Sequence, residues 1–185
     1  ISQWGYDFRP PYMRIAELRE LHPEVPIIAV TATATPEVVV DIQENLEFKA
    51  DHFVLQQSFG RDNLGYVVRS PESKDKQVLE ILKGVPGTSI VYVRSRGLTR
   101  KIALNLQRQG VSAASYHAGL EPKEKDRRQE AWIKGELRVI VATNAFGMGI
   151  DKPDVRSVIH HGPPDSPEAH FQEAGRGGLD GKMSS

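Results

Sequence analysis

The sequence predicts an α/β protein built on a mainly parallel sheet with helices on both faces. Short apolar segments alternate with longer segments whose apolar residues recur every three to four positions, the patterns of buried strands and amphipathic helices. Segments such as 25–30 and 137–142 are nearly apolar throughout, as in strands that are covered on both faces. Strands and helices that alternate along a chain indicate a parallel sheet.

Each element has its own local signal. A helix is predicted over 13–21, with a proline after it, followed by a buried strand over 25–30. Thr35 and Pro36 form an N-cap and first-turn pair for a helix over 37–46. The elements predicted beyond residue 64 are strands 65–70, 88–93, 112–116, 137–143 and 155–161, and helices 75–84, 98–110, 121–135 and one opened by Ser166 and Pro167.

Composition indicates a soluble, unsecreted globular protein. The chain is 39% hydrophobic and 26% charged, and its longest apolar runs fall far short of the ~20 residues of a membrane span. We therefore expect an intracellular protein without membrane contact, cytoplasmic and nucleoid-associated in a bacterium or nuclear in a eukaryote. The absence of cysteine excludes disulfides and cysteine-metal sites, and no metal site is predicted.

Charge divides the chain into two parts. The net charge is zero overall, but residues 1–56 carry four basic against nine acidic side chains and residues 57–185 carry twenty against fifteen. The shift falls beside a polar, glycine-bearing stretch that is typical of a connector. We predict two domains, 1–57 and 58–185.

Three polar or glycine-rich segments follow predicted strands, at the edge of a parallel sheet where ligands gather. After the first, Arg94, Arg96 and Arg100 crowd a helix start, where a bound phosphate would be favourable; the alternative is that they are simply solvated. His117 follows the second strand and is either a packing residue or a site residue. His160 and His161 should face opposite sides of a strand, which argues against joint metal ligation.

The third segment runs from Thr143 to Asp151. Gly147 and Gly149 would let backbone amides approach a phosphate, and Asp151 could bind a hydroxyl or a metal. The apolar residues Phe146, Met148 and Ile150 alternate with these positions and should pack the loop onto the core. No Walker A pattern is present, so this loop alone could not cradle a nucleotide triphosphate.

The opening stretch "ISQWGYDFRPPY" carries four aromatic residues and Arg9. Its aromatic rings could anchor the helix that follows, which is the usual role of such residues. If they are exposed, they would offer stacking faces for unpaired bases, each worth ~1–3 kcal/mol. The residues alone leave both alternatives open.

Seven segments, taken in order, resemble motifs of the RecQ family of DNA helicases. They are "ISQWGYDFRP", "TATAT", "SFGRDNLGY", "IVYVRSR", "YHAGL", "VIVATNAFGMGIDKPDVR" and "FQEAGRGGLDG", and they span essentially the whole chain. The resemblance implies a RecA-like parallel sheet with helices on both faces, preceded by the tail of a second RecA-like lobe. It further implies that ATP and Mg²⁺ lie between the two lobes and that single-stranded or branched DNA lies across them.

The resemblance also assigns roles to individual positions. Trp4, Phe8, Arg9, Ser95, Arg96, His117 and Thr143 would contact DNA; Thr31 and Thr33 would couple the lobes; Gly149, Asp151, Gln172 and Arg176 would face the nucleotide. The Walker A lysine and the acidic DEAH residues are missing, so these 185 residues should neither bind nor hydrolyse ATP alone.

One position departs from the RecQ pattern in a way that affects catalysis. The family motif at 172–181 has two arginines; Arg176 matches the first, the catalytic candidate, but Leu179 replaces the second. An arginine finger is worth ~10³–10⁵ in rate, which a leucine cannot supply. Two hypotheses follow: a RecQ-type 3′ to 5′ DNA helicase of recombination and repair, or a non-hydrolysing DNA-binding protein on a helicase scaffold. An RNA helicase is a third, which the aromatic stretch disfavours.

Overall fold

The computed structural model describes residues 10–31, 34–56, 58, 60–147 and 150–185, with the backbone alone for 10–13. The chain divides into two compact units, Ile1–Phe59 and Gly60–Ser185. The charge pattern predicts a boundary two residues earlier, after residue 57. Whether these units correspond to the ends of two helicase lobes stays a prediction.

The regular elements among the described residues of the first unit are helices. It contains a 3-10 helix (Pro10–Glu17), α1 (Leu18–Leu21) and α2 (Pro36–Asn45). The predicted cap of α2 is confirmed, because the Thr35 hydroxyl accepts a hydrogen bond from the Val38 amide at 3.4 Å. The Arg19 Nε donates to the Leu46 carbonyl at 2.6 Å, and Leu46 is the one buried side chain among the described residues of this unit.

The strand predicted over 25–30 is wrong. These residues form no strand, and Ile28 and Val30 are 84% and 87% exposed. A strand needs a neighbour for its backbone hydrogen bonds and a second layer for its apolar side chains. The described residues of this unit contain no strand that could provide either, so the apolar run forms no strand and most of it is exposed.

The second unit holds the sheet. Its elements are α3 (Lys74–Gly84), β1 (Thr88–Tyr92), α4 (Arg96–Arg108), β2 (Ala113–Tyr116), α5 (Pro122–Ile133), β3 (Val139–Ala142), β4 (Val155–His160) and α6 (Pro167–Ala174). The strands lie in the order β2-β3-β1-β4, and every pairing is parallel. The predicted parallel α/β fold is confirmed for this unit.

Alternate residues of β1 and β3 enter two separate hydrophobic clusters, one on each face of the sheet. Val91 and Val141 pack with the buried faces of α3 and α4, whereas Ile90 and Ile140 pack with Trp132 of α5. A strand that contributes to both faces is mostly apolar, the pattern from which the sequence predicts it. β3 is apolar throughout, whereas β1 also buries the hydroxyl residues Thr88 and Ser89. Helices on both faces of the sheet are thus confirmed.

The strand predicted over 65–70 is also wrong. The outer edge of β4 is occupied by the chain end, because the Val158 amide donates to the Ser185 carbonyl at 2.7 Å and the Ser185 amide donates to the Arg156 carbonyl at 3.1 Å. Leu64 forms one isolated parallel bridge to Ser184, made by the Gly65 amide, which donates to the Ser184 carbonyl, and by the Ser184 amide, which donates to the Asn63 carbonyl. Beyond it the backbone leaves the sheet, and Val68 is 98% exposed.

Two predicted helix-end signals of the second unit agree with the structure, although the helices predicted over 98–110 and 121–135 are observed as Arg96–Arg108 and Pro122–Ile133. The Ser166 hydroxyl accepts from the Ala169 amide at 3.1 Å and so caps α6, and Gly110 just after α4 has φ +80°. Glycine adopts that left-handed conformation without strain. In the described ranges no helix combines the length and apolar character needed to cross a bilayer.

Candidate functional site

The loops that follow β1, β2 and β3 begin side by side at the carboxyl edge of the sheet. The Val93 amide donates to the Ala142 carbonyl at 2.8 Å, and the Thr143 amide donates to the Tyr116 carbonyl at 3.2 Å. The three segments that the sequence predicts at strand ends therefore gather at one edge. This edge is where parallel α/β sheets hold ligands.

The loop after β1 leads directly into α4. Ser95 is the N-cap, and its hydroxyl accepts from the Leu98 amide at 3.2 Å. Arg96 is the first helical residue, is exposed, and lays its guanidinium over Gly119 of the next loop. A Cβ at Gly119 would lie 2.9 Å from the Arg96 Nη1, so a side chain at this position would displace the guanidinium and a glycine leaves room for it.

Two of the three clustered arginines lie near His117, and the third is engaged elsewhere. Arg94 donates to the Pro163 carbonyl at 2.8 and 3.2 Å and lies 3.8 Å from Asp165. Arg100 and Arg96, in contrast, lie near enough to His117 to lower its pKa. The three arginines that are close in the sequence therefore have two different surroundings. Arg96 and Arg100 lie near His117, whereas Arg94 binds the Pro163 carbonyl.

His117 lies at the centre of this group, which we call the His117 cluster (His117, Arg96 and Arg100). The ring is 2% exposed, and neither ring nitrogen has a hydrogen-bond partner in the described part of the chain. Burial lowers the pKa of His117, and the positive charges of Arg100 and Arg96 lower it further. An unpaired buried polar atom costs about 1–3 kcal/mol, so the two nitrogens of His117 require an explanation, and a ligand that binds them is one.

The loop after β3 begins with a tight turn at Thr143. The Phe146 amide donates to the Thr143 carbonyl at 3.0 Å. The Phe146 ring is 1% exposed and meets the rings of Tyr116 and Trp132 edge-on at 4.7 and 5.3 Å. The prediction that Phe146 packs the loop onto the core is thus confirmed, and partly buried Thr143 stands at the start of a rigid turn.

Beyond this turn, Asp151 is exposed and its neighbour Lys152 is buried. The Lys152 Nζ donates to the Ile133 carbonyl at 2.9 Å and pairs with Asp154 at the same distance, which fixes the end of the loop. No group of three or more potential metal ligands occurs among the described residues.

The 172–181 segment is held by two residues far away in the sequence. Arg61 donates to the carbonyls of Gly175 and Gly178 at 3.0 and 2.5 Å, and Asn63 donates to that of Gly178 at 2.7 Å. Sequence analysis places Arg61 and Asn63 in a family segment but assigns them no role. No local pattern reveals this clamp, because its partners are backbone carbonyls more than 100 positions away.

Arg176 reaches the loop after β3. A Cβ built on Gly147 would overlap the Nη2, Cζ and Nε atoms of the Arg176 guanidinium group, so the two residues are in close contact. The Arg176 Nε is buried without a partner among the described residues. Gln172 is exposed on α6, and Leu179 is 48% exposed.

The histidine pair behaves as predicted. The His160 Nε2 lies 2.8 Å from the Glu173 carboxylate, whereas the His161 Nε2 lies 2.9 Å from that of Asp75 on α3. The two rings therefore face different elements and do not share a ligand site.

Several predicted site residues lie outside the described residues: Trp4, Phe8, Arg9, Thr33 and Gly149. Thr31 is described and exposed. The roles given to these positions stay predictions.

Comparison with known proteins identifies the family. Residues 73–181 match the helicase conserved C-terminal domain. The whole chain is 44% identical to the ATP-dependent helicase SGS1 of Saccharomyces cerevisiae and 46% identical to the RecQ-like DNA helicase blm-1 of Caenorhabditis elegans. It covers only 13% and 19% of those two proteins.

A solved structure of S. cerevisiae Dbp5 bound to RNA and ADP BeF3 has the same fold. Its TM-score is 0.74 at 21% identity, over 95% of this chain and 47% of that one. At this identity the likeness concerns the fold alone. The resemblance drawn from the seven sequence segments is confirmed by the family match and the RecQ-like relatives. The chain therefore belongs to the helicase conserved C-terminal domain family and represents a RecQ-type part of it.

Proposed function

We propose that the longer protein containing this chain is an ATP-dependent DNA helicase of the RecQ type, which moves 3′ to 5′ on single-stranded or branched DNA. Its relatives SGS1 and blm-1 are named as an ATP-dependent helicase and a RecQ-like DNA helicase. ATP with Mg²⁺ would bind between two lobes, and this chain would supply one wall of that site. Such a protein would work where DNA is, in a eukaryotic nucleus or a bacterial cytoplasm.

The observation that carries the proposal is the contact between Arg176 and Gly147. It joins the loop after β3 to the 172–181 segment, two regions that the RecQ resemblance assigns to the nucleotide. A cation whose position is fixed before the ligand arrives stabilises developing phosphate charge more effectively than a mobile one. In this arrangement Asp151, Gly149 and Gln172 would complete the nucleotide-facing wall.

The His117 cluster is the natural place for a DNA phosphate. Arg96 and Arg100 supply positive charge beside the start of α4, and His117 supplies ring nitrogens that lack partners among the described residues. Contacts of this kind position a strand without reading its sequence. The Ser95 hydroxyl already accepts the capping hydrogen bond of α4, so Ser95 would contact DNA mainly through its backbone. Thr143 would lie at the adjacent strand end.

The remaining assigned residues complete the proposal. Trp4, Phe8 and Arg9 would stack on or contact unpaired DNA and report its presence to the nucleotide site. Thr31 and Thr33 would transmit lobe closure. DNA and nucleotide would then act on each other because both favour the closed arrangement, which is a population shift driven by two ligands.

Leu179 supports a second candidate, a DNA-binding protein that keeps the scaffold but does not hydrolyse ATP. Leucine is uncharged, so the chain offers no cation at the position of the second family arginine. The Leu179 side chain is 48% exposed there. Loss of an arginine finger costs roughly 4–7 kcal/mol of barrier stabilisation.

ATP hydrolysis by the full-length protein decides between the candidates. We expect DNA-stimulated turnover by the natural protein or, if Leu179 disables it, turnover that Leu179→Arg raises by about 10³-fold or more. The 185-residue chain serves as the negative control, since it lacks the Walker A lysine.

Each outcome has one meaning. Brisk turnover by the natural protein makes it a helicase in which another cation replaces the second arginine. Turnover by the arginine variant alone supports the non-hydrolysing candidate. No turnover by either protein, with single-stranded DNA still bound, would refute the catalytic proposal.

A further inference from the structure

Tyr92 is a buried phenol at the end of the central strand β1. Its ring is 4% exposed, and its hydroxyl donates to the Phe146 carbonyl at 3.1 Å. The neighbouring positions of β1, Ile90 and Val91, are aliphatic and fully buried. A buried hydroxyl without a hydrogen-bond partner is costly, so the bond to the Phe146 carbonyl ties Tyr92 to the loop after β3.

The carbonyl that Tyr92 holds belongs to the peptide unit that leads into Gly147. Gly147 has φ +143°, a backbone conformation that favours glycine, and its open Cα face contacts the Arg176 guanidinium. Tyr92 is therefore one peptide unit away from the surface on which Arg176 rests. A shift of this peptide would move that surface.

A second route connects Tyr92 to Arg176 through α6. The Tyr92 ring stacks on His160, with ring centroids 5.6 Å apart and planes 18° apart. The His160 Nε2 in turn lies 2.8 Å from the Glu173 carboxylate, and the Glu173 carbonyl accepts from the Arg176 amide at 3.3 Å. The ring of Tyr92 thus orients the helix end from which Arg176 projects, while its hydroxyl orients the loop that Arg176 contacts.

The phenol keeps its proton at every pH at which the protein would work. Burial raises the pKa of Tyr92 to about 12, although the charge of Arg176 nearby opposes the increase. The hydroxyl is therefore a permanent donor, and the Phe146 carbonyl keeps its bond.

We propose that Tyr92 is the positioning residue for Arg176, which fixes the guanidinium through the Phe146 carbonyl and Gly147 on one side and through His160 and Glu173 on the other. Its catalytic consequence rests on the proposed ATPase function. Displacement of a reacting group by about 1 Å can cost about 100-fold in rate, so a positioning residue can matter without touching the substrate.

The kinetic test uses Tyr92→Phe in the full-length protein, with Leu179→Arg present if the natural protein does not turn over. We expect kcat for DNA-stimulated ATP hydrolysis to fall by about 10-fold or more, with less change in KM for ATP, because the binding contacts remain. The matched control is Tyr116→Phe. Tyr116 also packs against Phe146, but its hydroxyl has no hydrogen bond within the described residues, so kcat should hold.

A double-mutant cycle identifies the route of the effect. In an Arg176→Ala background Tyr92→Phe should change kcat by less than about twofold, because the residue that it positions is gone. An equal loss in both backgrounds would show that Tyr92 acts independently of Arg176 and would overturn the proposal.

A structural readout keeps this test separate from the ATPase proposal. In the 185-residue chain, the NMR signal of the Arg176 Nε–H group is assigned by its loss in Arg176→Lys. It should shift in Tyr92→Phe and Gly147→Ala, and stay unchanged in Tyr116→Phe and in Gly135→Ala, where the added Cβ meets nothing within 4 Å. If the longer protein never hydrolyses ATP, this signal still decides, and an unmoved signal in Tyr92→Phe would refute the positioning role.

Discussion

The 172–181 segment and the His117 cluster belong to the same unit but differ in how their polar groups are satisfied. In the segment, Arg61 and Asn63 bind the carbonyls of Gly175 and Gly178, and glycines allow close backbone contact. In the cluster, both nitrogens of a buried histidine lack partners among the described residues, and two arginines converge on it. The backbone of the segment is thus held within the protein and only the Arg176 Nε is left unpaired among the described residues, whereas the buried ring of the cluster has no partner there for either nitrogen.

This difference separates residues that build a site from residues that await a ligand. Groups whose hydrogen bonds are all made within the protein contribute to folding and position their neighbours. Buried groups without partners reduce the free energy of unfolding, and a ligand that binds them recovers that loss. Substitutions in the 172–181 segment should therefore mainly lower stability. Substitutions in the His117 cluster should mainly weaken ligand binding.

The largest loss of stability is expected for Gly178→Ala. Gly178 has φ +57°, and an added Cβ would lie 2.6 Å from the Lys182 carbonyl oxygen and 2.7 Å from the Asn63 Nδ2. Conformational strain and steric overlap should together lower the free energy of unfolding by about 3 kcal/mol. Thermal unfolding of the 185-residue chain should show a melting temperature lower by roughly 9 °C.

Gly181→Ala is the matched control for this change. Gly181 has φ +78° in the same turn, but an added Cβ there meets nothing within 4 Å. It should show only the conformational cost of about 1 kcal/mol, or roughly 3 °C. Equal losses at the two positions would mean that the tight packing around Gly178 contributes nothing.

The contrast between these regions also explains what the sequence could and could not predict. Apolar patterning predicts the four strands of the sheet because β1 and β3 are buried at every position, β2 at three of four and β4 at alternate positions. It fails at 25–30 and 65–70, where the apolar pattern is present but the partner for the backbone is not. A strand forms only beside a second strand that accepts and donates its backbone hydrogen bonds, and the sequence of one segment does not show whether that second strand is present.

The site follows the same division. His117, Arg96 and Arg176 carry distinctive side chains in motifs, so the sequence could single them out. Arg61 and Tyr92 donate to backbone carbonyls of residues far away in the sequence. Every residue has a backbone carbonyl, so the sequence does not indicate which one is the partner. The one available signal for Tyr92 is a phenol hydroxyl at the end of a strand that is buried at every position, and such a hydroxyl requires a partner somewhere in the fold.

A smaller and pH-dependent effect is expected for His117→Phe. At pH 7 its melting temperature should stay within about 3 °C of the natural chain, because the change removes unpaired nitrogens and keeps an aromatic ring. Burial lowers the pKa of His117 in the folded state, so the unfolded state binds more protons as the pH falls below about 6.5. The natural chain should therefore lose more stability between pH 7.5 and 5.5 than the variant.

The two pH profiles isolate this one residue. His170, whose pKa is also lowered chiefly by burial, contributes equally in both proteins and cancels in the comparison. Parallel profiles would show that His117 does not titrate with unfolding. In the full-length protein the same variant should bind single-stranded DNA more weakly, although its stability at pH 7 is kept.

The smallest change in stability is expected for Arg96→Ala, and it tests the cluster most directly. Arg96 is exposed, so its loss should alter the free energy of unfolding by about 0.5 kcal/mol or less. In the full-length protein, however, the slope of log affinity for single-stranded DNA against log salt should decrease by about 0.7, the value for one lost phosphate contact. Arg94→Ala removes the same charge two residues away, from a guanidinium bound to the Pro163 carbonyl, and should leave the slope unchanged. If both variants reduce the slope equally, DNA responds to the charge of the whole surface and the His117 cluster is not a phosphate site.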